Sequence, residues 1–326
     1  MSAATASPTV AAVRPKVGSG IALGLVSALA FSSSGPLVKP LLEGGWSLGA
    51  TLLVRMGVAG LLLSPALLVA MRRERGFVRR HARLVVGFGA TGVVGCQLCY
   101  FAALQRMPVA IALLIEYLAP VLLVGYTWLR SRRAPSRLVL IGTTIAVVGL
   151  VLVVDVAGAR FDLLGALYAL GAAVCMALYF LISERTGDDL PPLALASGGL
   201  LVGGGLMAVL CLAGILPFTA PAIDVPLAGS AVAWFLPVGW IVVVSTALAY
   251  AVGVMAVPRM GSRLASFVGL SEVLFALLFA WLLLGEAPAP MQLLGGGLIL
   301  AGVVLVRLDA GGYVARPESS SSGATR

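Results

Sequence analysis

The sequence predicts an all-α membrane protein, with ten transmembrane helices in two inverted five-helix repeats. Three observations carry that prediction. Hydrophobic residues make up 60% of the 326-residue chain and charged residues 11%, with a mean hydropathy of +1.07. Soluble domains carry about 25% charged residues, and about 20 apolar residues in a row span a bilayer. Second, residues 106–152 recur at 259–305 without a gap, and 12 of the 47 columns are identical. The informative matches are Arg106/Arg259, Met107/Met260, Trp128/Trp281, Pro135/Pro288, Gly142/Gly295 and Gly149/Gly302. Third, the cations alternate between loops. With ten spans, 18 of the 22 Lys and Arg fall on the side of the two termini. Only Lys39, Arg106 and Arg160 face the other side, and Arg55 lies within a span. The positive-inside rule makes the cation-rich side cytoplasmic. Five spans per copy is an odd number, so the two copies lie in opposite orientations.

The elements follow in order. Residues 1–17 are Ala, Ser, Thr and Pro and read as a disordered cytoplasmic tail. The first repeat is predicted over 18–155. Its first span, about 18–38, is too long for a signal-peptide core and holds Ser32-Ser33-Ser34-Gly35-Pro36, where Pro36 invites a kink. Span two runs about 46–71, span three about 84–105 after an Arg-rich loop at 72–83, span four about 109–129 and span five about 138–154. The second repeat is predicted over 162–307. Spans six to ten run about 163–183, 191–216, 231–256, 263–284 and 289–306. A longer loop with Pro217, Pro221, Asp224 and Pro226 separates spans seven and eight. Residues 308–326 are Gly- and Ser-rich and read as a second disordered cytoplasmic tail. Trp46 and Trp281 sit near span ends, as interface anchors do. Gly199-x-x-x-Gly203 and Gly297-x-x-x-Ala301 are faces for close helix packing.

Several function classes are excluded or unsupported. The net charge of +9 sits in short loops between apolar runs, which is a topology signal rather than a nucleic-acid surface. Cys96, Cys99, Cys175 and Cys211 lie in apolar runs and read as small buried hydrophobes. His81 is the only histidine and no carboxylate cluster accompanies it, so no metal site is expected. No Gly-Lys-Ser/Thr phosphate loop is present, so ATP hydrolysis is not supported. Neither a His/Asp cluster nor a Ser/His pair exists, so no catalytic residues, no enzyme activity and no cofactor are expected.

Three ionisable residues do lie within spans: Arg55, Glu116 and Glu272. A charge at the centre of a helix in lipid costs at least about 2.5–3.5 kcal/mol, so such residues face the bundle interior. They bind solute or coupling ion, or they form an ion pair that fixes packing; both readings stay open here. By helix rise Glu272 lies roughly 14 Å into span nine. Arg55 and Glu116 lie roughly 14 Å and 10 Å below the outer surface, which predicts a salt bridge between them that seals the outer side. Gln97 and the aromatics Tyr100, Tyr117, Tyr168, Tyr179, Tyr250 and Trp240 are further candidates for lining a cavity, against ordinary packing.

The second copy reads Leu270-Ser271-Glu272-Val273, then Leu282-Leu283-Leu284-Gly285-Glu286. This resembles the closing motif of the EamA-type members of the drug/metabolite transporter superfamily, a Glu-Pro pair leading through a helix to Leu-Gly-Glu. Val273 stands in place of the Pro. The first copy keeps Pro120 without the Glu, and has Arg130 to Arg133 in place of Leu-Gly-Glu. The resemblance covers about residues 18–307. It implies a central cavity lined by spans one to four and six to nine, with spans five and ten as support. It implies a secondary transporter in the cytoplasmic membrane, exporting amino acids or related small metabolites by alternating access, driven by an ion gradient or by the solute gradient itself; the depth of Glu272 in span nine suits it to reversible proton binding. Alternatives are a carrier of another solute class, such as nucleosides or drugs, or an integral-membrane enzyme or scaffold. The expected partners are a small organic solute, protons and the bilayer, and no nucleic acid.

Overall fold

The computed structural model describes residues 17–132, 136–155, 162–183 and 190–313. It is built almost wholly of helices. The first half holds α1 (Val17–Ser32), α2 (Ser34–Glu43), α3 (Leu48–Arg73), α4 (Phe77–Phe88), a π-helical segment (Gly89–Gly95), α5 (Cys96–Leu104), α6 (Val109–Glu116), α7 (Ala119–Ser131) and α8 (Arg137–Asp155). The second holds α9 (Leu163–Ser183), α10 (Pro192–Leu212), α11 (Phe235–Val242), a second π-helical segment (Val243–Leu248), α12 (Ala249–Gly269), α13 (Ser271–Leu284) and α14 (Pro290–Tyr313). Among the described residues, five helical stretches are long and apolar enough to cross a membrane: 18–43, 48–73, 77–104, 192–212 and 235–256. Shorter apolar helices lie at 137–152, 163–178, 271–284 and 293–305. The expected tails at 1–16 and 314–326, and the repeat boundary at 156–161, lie outside the described residues.

The repeat is visible as reciprocal packing. Helices α8 and α14 cross where glycine lets their backbones approach. A Cβ on Gly149 would lie 2.6 Å from the Gly295 carbonyl and 2.8 Å from Ile299 N. On Gly302 it would meet the Gly142 carbonyl and Ala146 N. Gly142/Gly295 and Gly149/Gly302 are the matched pairs of the repeat, and each contact is the other with the copies exchanged. That reciprocity is the mark of a two-fold relation. Its axis passes near Gln97 and Tyr250, which are hydrogen-bonded and lie 153 residues apart, the repeat spacing. The π-helical segments at 89–95 and 243–248 fall on the same spacing. So do the helix breaks at Tyr117-Leu118 and Leu270.

Several expectations are corrected. Pro36 does break the first span, at Ser33, into α1 and α2; the missing proline N–H frees a carbonyl one turn earlier. The Arg-rich loop expected at 72–83 shrinks to 74–76, because Arg is a good helix former and Gly76, at φ 94°, supplies the turn. The break expected at 257–262 is helical, since α12 runs from Ala249 to Gly269 and carries Pro258 within it. Helix α14 extends to Tyr313, beyond the expected start of the tail.

The fold is also not purely helical. Asp224–Leu227 and Ser230–Ala233 pair as an antiparallel hairpin, β1 and β2. Its turn places Ala228 at φ 51° and Gly229 at φ 75°, the two positive angles that a tight two-residue turn requires. Ala228 is held there by its N–H, which donates to the Leu283 carbonyl at 3.0 Å. The hairpin region also explains Trp46. Rather than anchoring at the lipid interface, its ring is 4% exposed, lies 5.6 Å from the Trp234 ring, and donates Nε1–H to Pro221 O at 3.0 Å. Trp281 is 57% exposed.

Small residues set the other close crossing. In α10, a Cβ on Gly204 would meet the Gly57 backbone of α3 at 2.8 Å, and one on Gly203 the Met56 side chain at 3.2 Å. Gly199 packs under the Phe88 ring. Gly297 has nothing within 4 Å of a built Cβ, so Gly297-x-x-x-Ala301 is not a packing face inside this chain.

Candidate functional site

Helix breaks and π-helical segments converge on one place. A helix that stops mid-span leaves unpaired backbone groups, which lipid does not tolerate and a polar cavity does. Around these breaks lies a cavity of about 330 Å³. It is lined by Ser32 and Ser34 at the α1–α2 break, Arg55 of α3, Cys96, Gln97 and Tyr100 of α5, Glu116 at the end of α6, Tyr250 of α12 and Glu272 at the start of α13. Phe31, Phe88, Phe101, Leu113, Met176 and Val254 form its apolar wall.

Arg55 is 4% exposed, and three of its N–H groups bond to neutral partners. Its Nε–H donates to Thr246 Oγ1 at 2.8 Å, Nη1 to Ser34 Oγ, and Nη2 to the Ser245 carbonyl at 3.4 Å. The guanidinium carbon stands 5.1 Å above the Phe101 ring. One side chain therefore ties α3 to the α1–α2 break and to the second π-helical segment. A hydroxyl relay continues from there: Ser33 Oγ lies 2.7 Å from Ser245 Oγ, and Trp240 Nε1–H donates to Ser33 Oγ at 3.1 Å.

The expected Arg55–Glu116 salt bridge is not formed. Depth along the spans does not decide which way a side chain points. Arg55 turns to the hydroxyls of α2 and the π-helical segment, while Glu116 accepts from the Cys96 thiol at 2.9 Å. Glu272 lies within 2.9 Å of the Tyr117 hydroxyl, which also reaches the Gly269 carbonyl at 3.0 Å. Gln97 Nε2 donates to Tyr250 Oη at 3.1 Å, and Phe31 packs edge-on against Tyr250 with ring centroids 4.9 Å apart.

Arg55, Gln97, Tyr100, Glu116, Tyr250 and Glu272 are thus brought together around one cavity, with Tyr117 behind Glu272. The Tyr179 side chain lies outside the described residues. Tyr168 is 37% exposed and does not line the cavity. The sequence reading missed Ser34, Ser245 and Thr246. Their only signal was a run of hydroxyls at the kink and a second, Ser245-Thr246, in an apolar span.

A larger cavity of about 740 Å³ lies at the end of the bundle that holds Lys39, Glu43, Arg106 and Glu286. There the Glu286 carboxylate pairs with Lys39 of α2 and accepts from the Val109 N–H of α6 at 3.2 Å. Arg106 pairs with Asp162 at 2.8 Å. The Gly165 N–H and then Arg106 hold the Asp162 carboxyl below its usual range. This cavity carries ion pairs that tie helix ends together, whereas the smaller one gathers the buried ionisable groups.

Comparison with known proteins agrees with this architecture. The profile of the EamA-like transporter family matches the chain twice, over residues 18–155 and 163–308. The threonine/homoserine exporter RhtA of Escherichia coli K12 is 29% identical over 276 residues, covering 80% of this chain and 85% of its own. A probable terminal-alkyne amino-acid exporter of Streptantibioticus cattleyicolor is 26% identical over 309 residues, covering 92% and 96%. A crystal structure with 19% identity aligns over 91% of this chain and 99% of its own with a TM-score of 0.59, a likeness of fold. The two family matches coincide with the two copies of the internal repeat, and the chain belongs to the EamA-like transporter family.

Proposed function

We propose that the protein is a secondary transporter that exports amino acids or closely related metabolites through the central cavity by alternating access. The observation that carries this reading is the cavity itself, where one guanidinium and two carboxylates line a chamber with an otherwise largely apolar wall. Groups of both signs suit a zwitterion, and an apolar wall suits its side chain. Two relatives named as amino-acid exporters support the same solute class. Exchange of labelled amino acids across proteoliposomes containing only this chain tests it.

The proposal includes ten spans in two inverted copies with both termini in the cytoplasm. The loops expected outside gather at one end, where Lys39 meets Glu286 and Trp46 meets the 217–234 segment. A Cys replacing Ala287 is expected to react with a membrane-impermeant thiol reagent in intact cells. Reaction only after lysis contradicts that orientation.

Glu272 is proposed as the site of proton coupling. It sits in the first turn of α13, at a helix break, with a hydroxyl partner that serves either protonation state. Glu272→Gln is expected to keep the fold and to weaken the pH dependence of flux. An unchanged pH profile removes Glu272 from coupling.

A further inference from the structure

We infer that the side-chain carbonyl of Gln97 recognises the ammonium group of the transported solute, while Arg55 takes its carboxylate. This deepens the amino-acid reading of the central cavity and rests on it. Gln97 is 8% exposed and lines the cavity from α5. Its Nε2 is committed to Tyr250 Oη at 3.1 Å. Its Oε1 has no hydrogen-bond partner among the described residues. A buried acceptor without a donor is costly, and native structures seldom leave one without a reason. Here the reason is a donor that arrives with the solute.

The neighbouring charges say which donor. Glu116 and Glu272 line the same cavity, and the hydrogen bonds they receive come from a thiol and a phenol rather than from a cation. Two carboxylates beside an amide oxygen attract a cation more than a neutral hydroxyl. An ammonium group brings three donors. The opposite pole is also provided for. Arg55 has five N–H groups and uses three, leaving two on the guanidinium for a carboxylate.

The two-fold relation sharpens the assignment. Gln97 and Tyr250 occupy equivalent positions, yet only the first copy has a carbonyl there. Arg55 likewise belongs to one copy. A cavity on a near-symmetric axis is thereby given a positive and a negative pole, so a zwitterion enters in one orientation.

The test uses the whole chain in proteoliposomes and labelled threonine. Flux is competed with unlabelled threonine, with N-acetylthreonine, and with 3-hydroxybutyrate, which is threonine without its amine. The wild type is expected to prefer threonine over both analogues by ten-fold or more. Gln97→Leu is expected to weaken threonine about 10- to 100-fold. It should leave 3-hydroxybutyrate within two-fold, so the preference collapses. Gln97→Met, which keeps the length, should behave likewise, and Gln97→Glu, which keeps an acceptor, should retain the preference. Equal weakening of threonine and 3-hydroxybutyrate, or no weakening of either, overturns the assignment. A wild type that carries threonine without preferring it to the analogues overturns it too, leaving the amino-acid reading intact. A wild type that exchanges none of the twenty amino acids overturns both.

Discussion

Arg55→Gln is expected to abolish exchange and to lower the melting temperature of the purified protein by roughly 4–5 °C. Arg55 makes three hydrogen bonds to Thr246, Ser34 and Ser245, all inside the bundle. Bonds to a charged donor contribute about 1.5–3 kcal/mol each, and removing one partner from a buried polar set strands the rest. A glutamine reaches at most one of these acceptors. The conversion to temperature takes about 3 kcal/mol and an unfolding entropy of about 2.1 cal/mol/K per residue, which over 326 residues is about 1.5 °C per kcal/mol. Arg55→Lys is the sharper variant. It keeps the charge and loses the planar fork, so it should recover stability in part and exchange hardly at all. Thermal denaturation in detergent and exchange in proteoliposomes read the two effects separately. Full activity in Arg55→Lys means that the charge alone matters and the fork does not.

The second large effect lies outside the cavity lining. Gly149→Val and Gly302→Val are each expected to leave little folded protein after detergent extraction. A Cβ at Gly149 already meets the Gly295 carbonyl at 2.6 Å, and one at Gly302 meets Ala146 N at 2.6 Å. These neighbours are backbone, so they yield only if α8 and α14 separate. Overpacking a core costs about 1–3 kcal/mol when side chains can adjust, and more when they cannot. Because the contact is reciprocal, the two variants should fail to a similar degree. Gly297→Ala is the control, since nothing lies within 4 Å of that Cβ, and it should behave as wild type. Size-exclusion profiles of the three variants decide it. Wild-type behaviour of Gly149→Val means the helices do not cross there.

The contrast between these sites shows what was legible in the sequence. The repeat could be read because backbone contact between helices demands glycine, so Gly142, Gly149, Gly295 and Gly302 keep their spacing in both copies. The cavity could be read in part because Arg55, Glu116 and Glu272 are too costly in lipid to be placed idly. Ser34, Ser245 and Thr246 gave no such signal. A hydroxyl is cheap inside a helix because it can bond a carbonyl of its own turn, as Thr246 does with Ile241 O at 2.7 Å. Which residues pair was also hidden. Helix rise placed Arg55 and Glu116 at similar depth, yet depth says nothing about azimuth, and each found a neutral partner instead. The π-helical segments have no compositional signature. The hairpin was disguised by Pro226 within β1 and by an alanine at the first turn position, where glycine or asparagine is the usual cue.

The reading as an amino-acid exporter stands most directly on counterflow. Proteoliposomes holding the purified chain and unlabelled threonine inside, with a trace of labelled threonine outside, should accumulate label transiently above its external concentration. Arg55→Gln, inserted in equal amount, should not. If no label accumulates with threonine or with any other of the twenty amino acids, amino acids do not pass through this cavity and the proposed function is wrong.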